Sequence, residues 1–157
     1  MSSCNRVLEI VLEDGLGARG RPEVEQERAI AVQDFIDDNR FSVCNGDVGP
    51  YYLSLGLDGD RLLMKVRAAG SEKLSIFGFS LSPFRRIFKD YFIICDSYFQ
   101  AIRNKPLSTI EAIDMGRRSL HDEAAEKLCE VLKEHALIDK PTARRLFTIL
   151  CVLHSRV

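Results

Sequence analysis

A chain of 157 residues, 46% of them hydrophobic, can bury about 70% of its unfolded surface as one domain, which excludes a need for disulfides or structural metal. Its five scattered cysteines form no CxxC pair, which excludes a disulfide scaffold and suits a reducing cytoplasm. The formal net charge is −1, but residues 1–60 hold 5 Lys/Arg against 12 Asp/Glu and residues 61–157 hold 17 against 11. The two halves therefore attract each other on folding, and a uniformly basic nucleic-acid face is not indicated.

Met1 to Leu12 contains Glu9 and no long apolar run, so it is not read as a targeting segment, and Leu146 to Leu153 is too short to span a bilayer. Arg6 to Leu12 is aliphatic and β-branched and predicts a first strand. The following GLGARGR, with Gly15, Gly17 and Gly20, has neither GxGxxG nor GxxxxGK[ST] spacing and is read as a surface connection. Pro22 opens a helix with Glu23, Glu25 and Glu27 near its positive end and Val24, Ala31, Val32, Phe35 and Ile36 on its buried face, ending near Asn39. Between Tyr51 and Arg67, Asp58-Gly59 separates two alternating runs and predicts a hairpin. A loop at those two residues sets Leu57 against Asp60, Leu55 against Leu62, Leu53 against Met64 and Tyr51 against Val66. Leu74 to Leu81 predicts a further strand with apolar residues on both faces, the pattern of a central or doubly covered strand.

Ser80 to Asp96 is expected to organise the chain. Ser82 as N-cap and Pro83 at the first position start a long helix, whose stripe of Phe84, Ile87, Phe88, Tyr91, Cys95, Tyr98 and Ile102 is expected to be the centre of the core. Phe92, Ile94 and Phe99 widen that stripe, and Lys105-Pro106 ends the helix. Ser108 to Glu111 reads as a capping box for the next helix, which Gly116 is expected to break, with Ser119 and Asp122 capping a second segment. Asp139 caps a last helix through Pro141 to His154, apolar nearly all round and so deeply buried.

Three arginine pairs stand out: Arg85-Arg86, Arg117-Arg118 and Arg144-Arg145, the first and third near predicted helix starts, where cations oppose the dipole and an anion would relieve the cost. Arg85, Arg86 and Lys89 can present donors to a phosphate or an acidic protein surface. The plainer alternative pairs Arg86 with Asp90, and the other arginines with acids of the N-terminal half. A second constellation, Asp114, Arg117, Arg118 and His121, shares one helical face if the helix is unbroken; arginine would hold phosphate and His121 act as general acid or base. Against it stand the Gly116 break and an ordinary Asp114–Arg118 pair. His121, His135 and His154 have no metal-ligand spacing, and no nucleophile elbow is present, so no metal and no cofactor are assigned.

The strings SPFRRIFKDYFIICDSYFQAIR, IEAIDMGRRSLHDE, ERAIAVQDFIDDN, GPYYLSL and TARRLFTILCVLH resemble a family of small uncharacterised proteins found in alphaproteobacteria, nearly end to end and least well over Met1 to Gly20. The resemblance implies a bacterial cytoplasmic protein and carries over no activity, cofactor, partner or catalytic residue.

The expected fold is a single α+β domain over residues 1–157, with a mostly antiparallel sheet of about four strands, helices packed on one face and a helical C-terminal half. The expected function is a non-enzymatic binding or regulatory module that recognises an anionic group or acidic protein surface through Arg85, Arg86 and Lys89, joined by Arg117 and Arg118. The alternative is a small phosphate-ester or nucleotide-handling enzyme that uses His121 with Asp114. The expected partner is a protein or a phosphorylated ligand; nucleic acid and membrane are not expected, and a homo-oligomer is left open.

Overall fold

The alternating runs of β3 (Tyr51–Asp58) and β4 (Arg61–Ala68) form the middle of a four-stranded sheet, flanked by β1 (Val7–Glu13) on the β3 side and β5 (Leu74–Ser80) on the β4 side. The computed structural model describes residues 4–13 and 22–154, with side chains over 4–13 and 25–153. The GLGARGR connection and the side chains of Glu23, Val24 and His154 lie outside the described residues. The remaining elements are α1 (Pro22–Asp37), β2 (Phe41–Val43), a 3-10 turn (Ser82–Phe84), α2 (Arg85–Asn104), α3 (Leu107–Leu132), β6 (Ala136–Ile138) and α4 (Lys140–His154). The fold class is α+β.

The hairpin forms, with a corrected register. Asp58 faces Arg61, so the two-residue loop is Gly59-Asp60, and Gly59 takes the positive φ of 61° that favours glycine at the first loop position. Leu57 therefore faces Leu62, Leu55 faces Met64, Leu53 faces Val66 and Tyr51 faces Ala68. A shift of two residues preserves the side-chain faces, and Leu53, Leu55, Leu62, Met64 and Val66 are all buried.

β1 lies parallel to β3, which requires a crossover connection, and α1 belongs to it. Asn39, just beyond α1, locks this arrangement. Its buried amide accepts from the Val7 N–H at 2.7 Å and donates to the carbonyls of Val7 at 3.0 Å and Phe35 at 2.9 Å. One side chain thus pairs both backbone groups of a β1 residue and a carbonyl in the last turn of α1. Arg6 adds a bond from its guanidinium to the Ile36 carbonyl at 2.9 Å.

β5 is an edge strand, not a central one. Phe79 is buried and Phe77 half-buried on the core side, while Leu74 and Ile76 are exposed on the other, so the helices cover only one face of the sheet. A small second sheet, antiparallel β2 and β6, was not visible in the sequence pattern, since three-residue strands carry no usable period.

The centre of the helical layer is α4 rather than α2. Ala143, Leu146, Phe147 and every residue from Ile149 to Leu153 are buried, and the Asp139 carboxylate caps the helix by accepting from the Thr142 N–H at 3.0 Å. Phe84 of the 3-10 turn and Ile87 and Phe88 of α2 are fully enclosed, but further along α2 Cys95 and Tyr98 are only partly covered and Phe99 and Ile102 are exposed. Ser82 does not cap: a 3-10 turn precedes α2, and the caps are Leu81 and Phe84, without side-chain bonds. Ser108 does not cap either, because α3 begins at Leu107 after Pro106. α3 runs unbroken through Gly116, which packs against α2; a Cβ there would sit 2.7 Å from the Ile94 Cδ1. Ser119 and Asp122 are accordingly mid-helix residues.

Removing the Asn39 amide leaves the Val7 N–H buried without its partner, a cost of about 1–3 kcal/mol beyond the bonds themselves. Asn39→Ala is expected to destabilise the protein by about 2–4 kcal/mol in urea unfolding. Asn39→Asp, which retains the acceptor but loses both donor bonds, is expected to be no better.

Candidate functional site

On α3 the residues Ala124, Ala125, Leu128 and Leu132 form the buried stripe. Continued toward the N-terminus at spacings of three and four, the same line runs through His121, Arg117 and Asp114. Polar groups therefore occupy the core-facing line where α3 leaves the core, between α2 and α4.

His121 is packed between the two flanking helices, its ring 5.7 Å from that of Tyr91 and 5.4 Å from that of Phe147. Its Nε2 lies 3.0 Å from the Arg144 carbonyl, and because a carbonyl only accepts, Nε2 carries the proton. The Thr148 hydroxyl donates to the same carbonyl at 3.2 Å. Burial pushes the His121 pKa below its ordinary 6.5, with Arg144 and Arg117 acting in the same direction and the Arg144 carbonyl bond and Asp122 acting against it. The imidazole is neutral near pH 7. Burial also holds the Tyr91 phenol neutral, its pKa raised to about 12.

Asp114 serves both neighbouring arginines. Its Oδ1 accepts from Arg117 Nε at 2.9 Å and Nη2 at 2.6 Å, and its Oδ2 lies 2.9 Å from Arg118 Nε. The hydrogen bonds from Arg117 hold the Asp114 carboxyl below the usual range, helped by the charge of Arg118. Arg117 also lies over the Tyr98 ring, 5.8 Å from its centroid. Arg144, in the first turns of α4, pairs with Asp122. A cleft of about 390 Å³ results, lined by Arg117, Arg118, His121, Asp122 and Arg144. Asp114 braces the arginines and does not line the cleft, and the bonds around His121 come from a carbonyl and a hydroxyl rather than a carboxylate.

The other basic residues fan out. Arg85 reaches back to Asp60 at 3.0 Å, Arg86 turns to Asp90 at 3.2 Å and to Glu123 on α3, and Lys89 is exposed. Arg145 points away from Arg144, donating to the Asp38 carbonyl at 3.0 Å with the Asp38 carboxylate 3.6 Å away. Arg85–Asp60, Arg145–Asp38 and Lys65–Glu13 are pairs between the acidic and basic halves of the chain. Sequence spacing placed Asp114, Arg117, Arg118 and His121 together on α3 but missed Arg144, because proximity between helices has no period; the third arginine pair was the available signal.

A second hollow, an apolar groove of about 450 Å³, lies between α1 and α2 over α4, with Ile30, Tyr91, Phe92, Cys95, Phe99 and Cys151 among its walls. Among the described residues, no three His, Cys, Asp or Glu side chains gather as metal ligands, and no helix is long and apolar enough to cross a membrane.

Fold and cleft define a small α+β protein whose arginine-lined hollow sits where a helical hairpin leaves the core. The chain belongs to the uncharacterised protein family UPF0262, whose profile matches residues 4–156. It is 47% identical over 152 residues to a UPF0262 protein of Rhodopseudomonas palustris BisB18, covering 97% of this chain and 93% of the relative. Identity is 45% over 151 residues with a UPF0262 protein of Agrobacterium fabrum (96% of each chain) and 47% over 156 residues with one of Rhodospirillum rubrum (99% and 96%). No solved structure matches the chain.

Because the His121 pKa is lower folded than unfolded, the unfolded state binds the extra proton first. The contribution of His121 to stability is complete above pH 6.5 and is lost as pH falls through its lowered folded value. Urea unfolding across this range is expected to show stability decreasing toward acid. His121→Gln, which retains a donor for the Arg144 carbonyl, is expected to flatten that part of the slope.

Proposed function

We propose that the protein is a non-enzymatic binding module of the bacterial cytoplasm that recognises an anionic group, a phosphate ester or an acidic protein side chain, through Arg118 and Arg144 with Arg117 behind them. The carrying observation is the convergence of three guanidinium groups in one cleft, opposed among the described residues by two carboxylates, Asp114 and Asp122, beside a neutral imidazole. A guanidinium has five N–H donors, so the carboxylate contacts leave donors for a ligand. Arg118 is the most available, its side chain 73% exposed. The first turns of α4 add the positive end of a helix dipole. The five cysteines, scattered along the chain without a CxxC pair, suit a reducing compartment.

Arg85, Arg86 and Lys89 have less support as the recognition site. Asp60 answers Arg85, Asp90 and Glu123 both answer Arg86, and the two arginines point to different elements. The enzyme alternative also has less support, since Asp114 is committed to arginines and His121 Nε2 to a backbone carbonyl.

Calorimetric titration with inorganic pyrophosphate tests the reading. Binding is expected that weakens with salt and falls at least tenfold, about 1.4 kcal/mol, in Arg118→Glu and in Arg144→Ala, while Arg85→Glu leaves it within twofold. Absence of binding, or an equal loss in Arg85→Glu, would sink the α3–α4 assignment.

A further inference from the structure

The free edge of β5 differs from the opposite edge of the sheet. β5 is paired only with β4, from Arg67↔Leu74 to Arg61↔Ser80, and among the described residues no other backbone group bonds to the backbone of Leu74–Ser80. A strand edge of this kind is a template for another strand unless charge, proline or a bulge blunts it. β1, the other edge, carries exposed Glu9 and Glu13 and a register shift between Val7 and Glu9. β5 carries no charge and no proline, and it exposes Leu74 (50%) and Ile76 (58%).

We propose that β5 pairs antiparallel with β5 of a second copy of this chain, joining two four-stranded sheets into one across a two-fold axis at Ile76. A two-fold interface needs a strand complementary to itself, and within β5 the segment Leu74–Gly78 meets that condition about Ile76, while Phe79 and Ser80 pass beyond it to face Lys73 and Glu72. With Ile76 on the axis, Leu74 of each copy faces Gly78 of the other on the open face, and Phe77 faces Ser75 on the core face. At the axis the two Ile76 side chains meet each other, and on either side of it a large side chain meets a small one, so directly opposed side chains are in reach without crowding. Gly78 is opposite Leu63, whose Cδ2 lies 3.0 Å from where a Gly78 Cβ would be, so an incoming Leu74 finds an apolar neighbour there. The alternative axis at Phe77 would stack two phenyl rings, and the Phe77 ring is already engaged by His135 of its own chain at 4.9 Å. A partner protein could offer a strand too, but this register is written in the chain's own sequence.

Sedimentation of the full chain at micromolar concentration is expected to give a dimer, and Ile76→Lys, a charge placed on the exposed side of the edge, a monomer with unchanged circular dichroism. Leu74→Lys provides the same test should Ile76→Lys fold poorly. Ile76→Cys is expected to cross-link to itself with a short bis-maleimide well above the background of the parent protein, whereas Val11→Cys on the opposite edge of the sheet remains at that background. A parent protein that stays monomeric overturns the proposal. So does a dimer that survives both lysine variants, or one that is lost only in Phe99→Glu, which would assign the interface to the exposed end of α2.

Discussion

The constraint on which the rest of the structure depends is the burial of α4 on every side. A helix whose residues from Ile149 to Leu153 are all enclosed cannot lie on a surface, so other elements must surround it. α1 and α3 pack along it, and Phe147 reaches α2, 5.4 Å from Phe88 and 5.3 Å from Tyr91. Only its first turns escape, and there Arg144 and Arg145 diverge, one to Asp122 on α3 and the other to Asp38 after α1. The arginine pair thus marks where the enclosure opens, and its two members tie the helices on either side.

The packing of α4 also orders the polar stripe on α3. α4 runs antiparallel to α3, Lys140 meeting Glu126 and Arg144 meeting Asp122. The apolar part of the stripe therefore lies beside the first residues of α4 and changes to His121 where Arg144 and Thr148 pass. A neutral histidine suits that position because it fills an aromatic slot against Tyr91 and Phe147 while its N–H satisfies a carbonyl. The charged groups next along, Asp114, Arg117 and Arg118, satisfy each other as a unit. The cleft is therefore braced from within α3 rather than from a loop, which suits a site whose geometry must not vary with its occupancy.

The sequence disclosed what repeats and concealed what is set once. Alternation gave the faces of β3 and β4 correctly even though the hairpin loop was misplaced by one residue, since a slip of two partners leaves faces unchanged. Strand order was not legible: the apolar residues on both faces of Leu74–Ser80 read as double coverage, and an edge strand with Leu74 and Ile76 left open has the same composition. The serines at 82 and 108 looked like caps because capping residues are chosen by chemistry alone, whereas their use depends on where the chain turns, and prolines at 83 and 106 fixed that locally. Gly116 looked like a break, but its reason is tertiary, the approach of Ile94 from α2. Asn39 read as a helix end; its grip on β1 spans 32 residues and has no local signature.

α2 shows the limit of periodicity most clearly. Its stripe continues at regular spacing from Phe84 to Ile102, yet the protein's own core encloses only the first part, and Phe99, four residues past Cys95, is 62% exposed. Period tells which residues share a face, and composition tells that the face is apolar; neither tells where the covering layer ends. On α2 that layer ends about halfway, because α4 and the sheet are shorter than the α2–α3 hairpin that passes them. The same logic makes α3 polar on one line at its free end and α2 apolar at its own, so the hairpin leaves the core with chemically opposite surfaces: an arginine-braced cleft on one side and an apolar groove on the other.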